Sequence, residues 1–267
     1  MIRTNQHRTV RSFTWIFSAL ALGFFGSSAF GEETADSGKL ARFSPDHKTI
    51  LVEAPGIEKF VFGSSVRFEV DGKGQDLAST LSSVVSTTGW KTVDTPMGRA
   101  EATSATYGDA EKKFSYTITL KVLPDINSIA LEGVFHNHSG NDVNLRHIEL
   151  LSTFAGGGIE LDSSKQWLVT PLMEDAPAEP FGTMQRTCPE AAMVYDTQGT
   201  GFLIGPTGPP EAYTDVNFKD KGIIASSRME GVLVRAGESR RGEPMVVCFD
   251  SPETATKIWT RWVAATH

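Results

Sequence analysis

Phe114-Ser-Tyr-Thr-Ile-Thr-Leu-Lys-Val122 alternates apolar and polar residues without a break. Side chains on a strand point to opposite faces with period two, so this run predicts a strand with one buried and one wet face. Working outward, Ile129 to His138 and Val143 to Phe154 repeat the pattern on either side of Ser139-Gly140-Asn141-Asp142, and the pair predicts a hairpin. Upstream, Thr49 to Glu53, Lys59 to Phe62 and Val66 to Val70 are short strand signals, followed by the turn chemistry of Asp71-Gly72 and Lys73-Gly74. Downstream, Ala191 to Tyr195, Gly201 to Ile204, Tyr213 to Phe218, Gly222 to Val234 and Pro244 to Phe249 continue the series. Leu77 to Thr88 is rich in Ser and Thr and shows no clear period. Turns recur at close spacing with no helical pattern between them, and no long-period repeat is present. The expectation is an all-β fold, a large antiparallel β-sandwich.

Period 3.6 appears only at the end. Ser251 is placed to cap a helix, Pro252 takes the first helical position and Glu253 suits the positive end of its dipole. Ala255, Ile258, Trp259, Trp262 and Val263 then form one apolar stripe. No Gly, Asn or Pro closes this helix before His267. The expectation is a junction to something larger, a front module rather than a complete enzyme, with the stripe packed on apolar surface of the sandwich itself or of a partner. At this spacing the two Trp read as packing residues rather than a sugar platform.

The N-terminus reads as an export signal. Arg3, Arg8 and Arg11 precede an apolar run from Phe13 to Phe25, and Ala29-Phe30-Gly31 supplies the small residues of a cleavage site before Glu32. The run contains Ser and Gly and falls short of the roughly 20 apolar residues of a membrane span. The predicted organisation is a signal peptide at 1–31, a polar tether at 32–47, a sandwich at 48–250 and a junction helix at 251–267. Cleavage removes three Arg and no carboxylate, moving the net charge from −7 to −10. An acidic chain without basic clusters argues against nucleic acid or anionic lipid as partner, so no nucleic acid and no membrane contact is expected after cleavage. An exported address, periplasmic or extracellular, permits a disulfide between Cys188 and Cys248, but two buried free thiols is the favoured reading.

Few residues stand out for chemistry. His136 and His138 share a strand face and His147 lies across the predicted hairpin, a donor set for zinc with an open position. With no carboxylate or Cys motif beside them, they read as sheet-surface residues, and neither metal nor cofactor is expected. Gly156-Gly157-Gly158 is too short for a phosphate loop and reads as a turn. Pro171 to Pro189 is a long Pro-rich loop holding Glu174 and Asp175, with Trp167 just before it. Paired carboxylates near an aromatic suit sugar hydroxyls, which makes Trp167, Glu174 and Asp175 the candidate substrate-binding residues; a solvated acidic loop is the plainer alternative. No nucleophile elbow, zinc-protease helix or Walker loop is present, and no catalytic residue is assigned.

The C-terminal half carries a resemblance. Leu131 to Leu145, with its His-Asn-His-Ser-Gly-Asn core, resembles a strand pair of galactose-type β-sandwiches, and Gly201-Phe-Leu-Ile-Gly205 resembles their glycine-bracketed strand. Val234-Arg-Ala-Gly-Glu238, followed by Glu243-Pro-Met-Val-Val247, resembles the segment closing the N-terminal domain of α-galactosidase and raffinose-synthase-like glycoside hydrolases. Ala236 stands where that pattern has Pro. The resemblance covers roughly residues 128–267 and implies a galactose-mutarotase-like supersandwich, with the terminal helix leading to a catalytic (β/α)₈ barrel that would supply the catalytic carboxylates. It implies carbohydrate as ligand and a barrel packing on Trp259 and Trp262 as partner. A mutarotase-like epimerase using His136 or His138 with Glu174, and a ligand-free structural envelope protein, are the competing readings.

Overall fold

The computed structural model describes residues 39–208 and 213–266. The predicted signal peptide lies outside the described residues. Two antiparallel sheets, of nine and eleven strands, pack face to face. The first sheet is built on the long strand Ile57–Val70. Its first half pairs with Ile50–Val52 and Gly158–Leu161, its second half with Lys73–Ala78 and Val143–Ser152. Gly222–Val234, Tyr213–Lys219 and Arg186–Pro189 continue the sheet outward. The second sheet is centred on Ser128–Asn137, between Phe114–Leu123 on one side and Met245–Phe249 on the other. Gly98–Gly108 extends it beyond Phe114–Leu123, and Gly201–Pro206, Ala192–Asp196 and Trp167–Pro171 extend it beyond Met245–Phe249.

Inward-facing aromatics from both sheets meet in the core. Phe60 of the first sheet lies 5.6 Å from Phe202 and 6.4 Å from Phe249 of the second, ring centre to ring centre. Phe68 meets Phe114 at 4.6 Å and Phe135 at 4.8 Å. Offset ring pairs at these distances add to the area they bury. Asp71 and Gly72 both adopt positive φ and join Ile57–Val70 to Lys73–Ala78 through the expected two-residue turn. The Gly156-Gly157-Gly158 turn is also where the sequence places it. A Cβ on Gly156 would stand 2.2 Å from Phe62 Cα, so only glycine lets this turn cross the long strand.

The predicted hairpin at 129–154 is not one. Ser128–Asn137 and Val143–Ser152 lie in different sheets, and the segment between them carries the chain across the sandwich. The reason is that Ser128–Asn137 has both edges taken, by Phe114–Leu123 and by Met245–Phe249 with Ser239–Arg241, which leaves no edge for its successor. Asn137, fully buried, holds the crossover. Its Nδ2 donates to Asn141 O at 2.8 Å and Val234 O at 3.0 Å, and its Oδ1 accepts from Ser139 N and Oγ. The sandwich also starts earlier than residue 48: Ala41–Phe43, read as tether, pairs with Ile50–Val52 and buries Ala41 and Phe43.

The terminal helix spans Pro252–Ala265, with Ser251 capping Thr254 N. Its stripe packs on this chain's own second sheet. Ala255, Ile258 and Trp262 join Leu123, Ala130, Met193, Leu203, Val246 and Cys248 in a separate apolar cluster on the outer face. Trp259 is partly buried and donates its indole N–H to Pro206 O at 2.9 Å. The expected barrel packing on Trp259 and Trp262 is therefore corrected for Trp262, which is 4% exposed and already covered by the sandwich. Both cysteines are free and buried, Cys188 in the central core and Cys248 under the helix. Burial pushes the Cys188 thiol up to about 11 and the Cys248 thiol up to about 12. Among the described residues, no helix is long and apolar enough to cross a membrane.

Candidate functional site

The residues singled out in the sequence do not come together. Trp167 is 7% exposed and belongs to the core, and its indole N–H donates to Asp162 O at 3.0 Å. A ring enclosed this way offers no open face to a sugar, so the substrate-binding reading of Trp167 is corrected. Its period-two strand, Trp167–Pro171, turns it inward. Glu174 is ion-paired with Arg186, which also approaches Glu179 at 3.7 Å. Asp175 is exposed on the same loop. His136 and His138 stack in parallel with ring centres 5.8 Å apart, His136 Nδ1 against Ser239 Oγ at 2.7 Å and His138 Nε2 against Ser115 Oγ at 2.9 Å. Burial, then the neighbouring His138, holds His136 below its ordinary pKa. Neither histidine bonds Glu174, which removes the pairing the epimerase reading assumed. His147 lies in the other sheet, so the three histidines do not converge. Among the described residues, no group of three or more His, Cys, Asp or Glu is arranged to hold a metal ion.

A different constellation is built on the outer face of the first sheet. Register places Asp76, Arg67, His147, Arg228 and Tyr213 in one row across five adjacent strands. The next row on that face holds Ser65, Glu149, Ser226 and Asp215. His147 reaches this face because the strand Val143–Ser152 shifts register between Leu145 and His147. Leu145 and Ile148 both turn inward, so the extra residue, Arg146, flips the alternation and aims His147 outward.

The tract is tied together by charge. His147 Nε2 lies 3.2 Å from Glu149 Oε1, and Ser65 Oγ donates to Glu149 Oε2 at 3.2 Å. Arg67 approaches Glu149 at 3.6 Å and Asp76 at 3.3 Å. Arg228 grips both oxygens of Asp215, Nε to Oδ2 at 2.6 Å and Nη2 to Oδ1 at 3.4 Å, the two-pronged geometry that guanidinium and carboxylate favour. The carboxylates are recessed although they face outward: the side chains of Glu149 and Asp215 are 12% and 8% exposed. Burial pushes the Glu149 carboxyl up, but the hydrogen bond and charge of His147, with Arg67 and Ser65, outweigh it and hold the group below its ordinary value. Tyr213 stands open at the end of the row. The arrangement offers fixed donors and acceptors side by side, with an aromatic ring beside them.

No protein-family model matches the chain, and no curated protein matches it in sequence. Solved structures do match in fold. The α-N-acetylgalactosaminidase NagBb from Bifidobacterium bifidum, in a GalNAc complex, superposes with a TM-score of 0.52 at 8% identity over 85% of this chain and 38% of that one. An α-galactosidase from Lactobacillus brevis matches with a TM-score of 0.51 at 9% identity over 70% of this chain and 29% of its own. A GH36 α-galactosidase from Geobacillus stearothermophilus, in complex with 1-deoxygalactonojirimycin, gives 0.50 at 11% identity over 81% and 35%. The chain thus has the β-sandwich fold found within α-galactosidase-type glycoside hydrolases, and spans about a third of the length of these enzymes. The likeness reaches beyond the 128–267 stretch that first carried it.

Proposed function

We propose that this chain is an exported, carbohydrate-associated β-sandwich module, non-catalytic on its own, whose sugar-facing surface is the outer face of the first sheet. The observation that carries the reading is the tract of His147, Glu149, Arg228 and Asp215, with its two carboxylates recessed, on a fold shared with sugar-processing enzymes. Sugar hydroxyls both donate and accept, and they match alternating cations and carboxylates beside an exposed aromatic such as Tyr213. Glycoside hydrolysis needs a protonated acid beside an ionised carboxylate, and Glu149, held below its ordinary value, suits only the second role. A catalytic barrel, on this or another chain, is the partner the fold suggests. Calorimetric titration with D-galactose, raffinose and N-acetylgalactosamine tests the reading. Binding that is lost in both Glu149→Gln and Arg228→Gln supports it; no heat with any of the three sugars overturns it. Export is tested separately, by N-terminal sequencing of secreted material, which should begin at Glu32.

One observation favours a second reading, a mutarotase-like epimerase. His147 and an ionised Glu149 in contact are an acid–base pair suited to opening and closing an aldose ring. Accelerated mutarotation of α-D-galactose, abolished by His147→Asn, would move the assignment to this reading.

A further inference from the structure

The opposite face of the molecule carries a cleft of about 540 Å³, inside the range that holds small ligands. Its floor is Lys121, Ala130 and Glu132, on the adjacent strands Phe114–Leu123 and Ser128–Asn137. Its walls are the last turn of the terminal helix, with Trp262 and Thr266, and the segments at 94–96, 207–208 and 241–244.

We propose that this cleft is a second binding site, for a neutral, hydroxyl-rich small molecule of monosaccharide size. Three features argue for it. Glu132 Oε1 accepts from Lys121 and, at 2.8 Å, from Arg241 Nη2, a fork that fixes two cations and one carboxylate side by side. An ammonium has three N–H groups and a guanidinium five, so donors remain on both after these bonds, next to the second carboxylate oxygen. A vicinal pair of hydroxyls, each able to donate and accept, fits that pattern. The charges around the cleft also nearly balance, with Asp94, Glu132 and Glu243 set against Lys121 and Arg241. A strongly charged ligand would meet both signs at once, which selects for a neutral one.

The third feature is a difference between two tryptophans on one helix. The indole N–H of Trp259 has its acceptor in Pro206 O, whereas the indole Nε1 of Trp262 is buried without a partner among the described residues. A buried donor left unmade carries a desolvation cost that a native fold seldom tolerates without a reason. Trp262 lines the cleft with the rest of its ring, and its enclosed Nε1 meets an oxygen-rich occupant only when the last turn of the helix shifts.

The inference does not depend on the sugar reading of the first sheet, and one experiment separates the two. Hydrogen exchange is followed on the full exported chain with D-galactose, D-glucose and glycerol as probes, alongside tryptophan fluorescence. The expected result is protection at 94–96, 241–244 and 262–266 with at least one probe. Glu132→Gln and Arg241→Gln should each weaken that response about tenfold or more, as loss of a charge-assisted bond does. Trp262→Phe keeps an aromatic ring in place while deleting the N–H, and should weaken binding severalfold even if a charge variant folds poorly. Absence of protection at the cleft with all three probes overturns the inference, whatever the first sheet binds. So does cleft protection of unchanged affinity in the Glu132, Arg241 and Trp262 variants alike.

Discussion

The two sheets share one core but treat their outer faces differently. The second sheet covers part of its outer face, over Gly201–Pro206 and Met245–Phe249, with the terminal helix, sealing Leu123, Ala130, Leu203, Val246 and Cys248 beneath Ala255, Ile258 and Trp262. The first sheet leaves its outer face to charge, with Arg67, His147, Glu149, Asp215 and Arg228 locked in pairs. The patch under the helix is a folding solution: burial there is worth several kcal/mol whether or not the neighbouring cleft is occupied. The charged face is a poor folding solution, because recessed ion pairs recover little more than their desolvation cost. The guanidinium groups of Arg67 and Arg228 are about half exposed, so the pairs keep this face hydrated, and the recognition role proposed for it is tested separately.

Truncation on the two faces should therefore differ in kind. The largest effect expected is from Trp262→Ala, which empties the space under the helix and should cost about 3–5 kcal/mol in denaturant unfolding. Trp259→Ala, at a partly buried position with one backbone bond, should cost about half as much. Equal losses for the two would break the picture of a helix seated through Trp262. On the charged face, Glu149→Gln should cost about 1–2 kcal/mol at pH 7. That loss should have a pH signature. A carboxyl held below its unfolded value adds stability above that value, here 4.5, and loses it as pH falls through the lowered folded value. Wild type and Glu149→Gln should thus converge in stability as pH falls from 4.5 through that lowered value; a gap that persists below it would show that packing, not charge, sets the difference. The smallest effect is chemical: with both thiols buried and shifted up, Cys188 and Cys248 should resist a maleimide at pH 8 until the protein unfolds.

The contrast between the faces also explains what the sequence could convey. The helix was legible because five apolar residues at helical spacing, a Ser cap and a Pro at the first position all agree. Phe114–Leu123 was legible for the same reason at period two. Gly98–Gly108 was not, because Ala100, Ala102 and Ala105 among its buried positions are too small to raise a hydrophobic alternation above its Thr and Ser neighbours, and Tyr107 is its one large buried side chain. The crossover at 138–142 looked like a hairpin because turn residues report a reversal and not which sheet the chain returns to. The charged tract was the harder case. Its members are scattered over five strands, and only register brings them together. One local signal was available: apolar residues at 143, 145, 148 and 150 skip a beat at Arg146-His147, the mark of a bulge that re-aims a side chain. Trp167 misled because an aromatic beside an acidic loop looks the same in sequence whether it faces sugar or core.

The account turns on whether the charged face of the first sheet meets carbohydrate, and a residue-resolved titration tests that most directly. Backbone amide shifts of the ¹⁵N-labelled chain would be followed against D-galactose, raffinose and N-acetylgalactosamine. The predicted result is a set of shifts confined to 65–67, 147–149, 213–215 and 226–228 for at least one sugar, abolished in Glu149→Gln. Amides of that face unmoved by all three sugars would contradict the account.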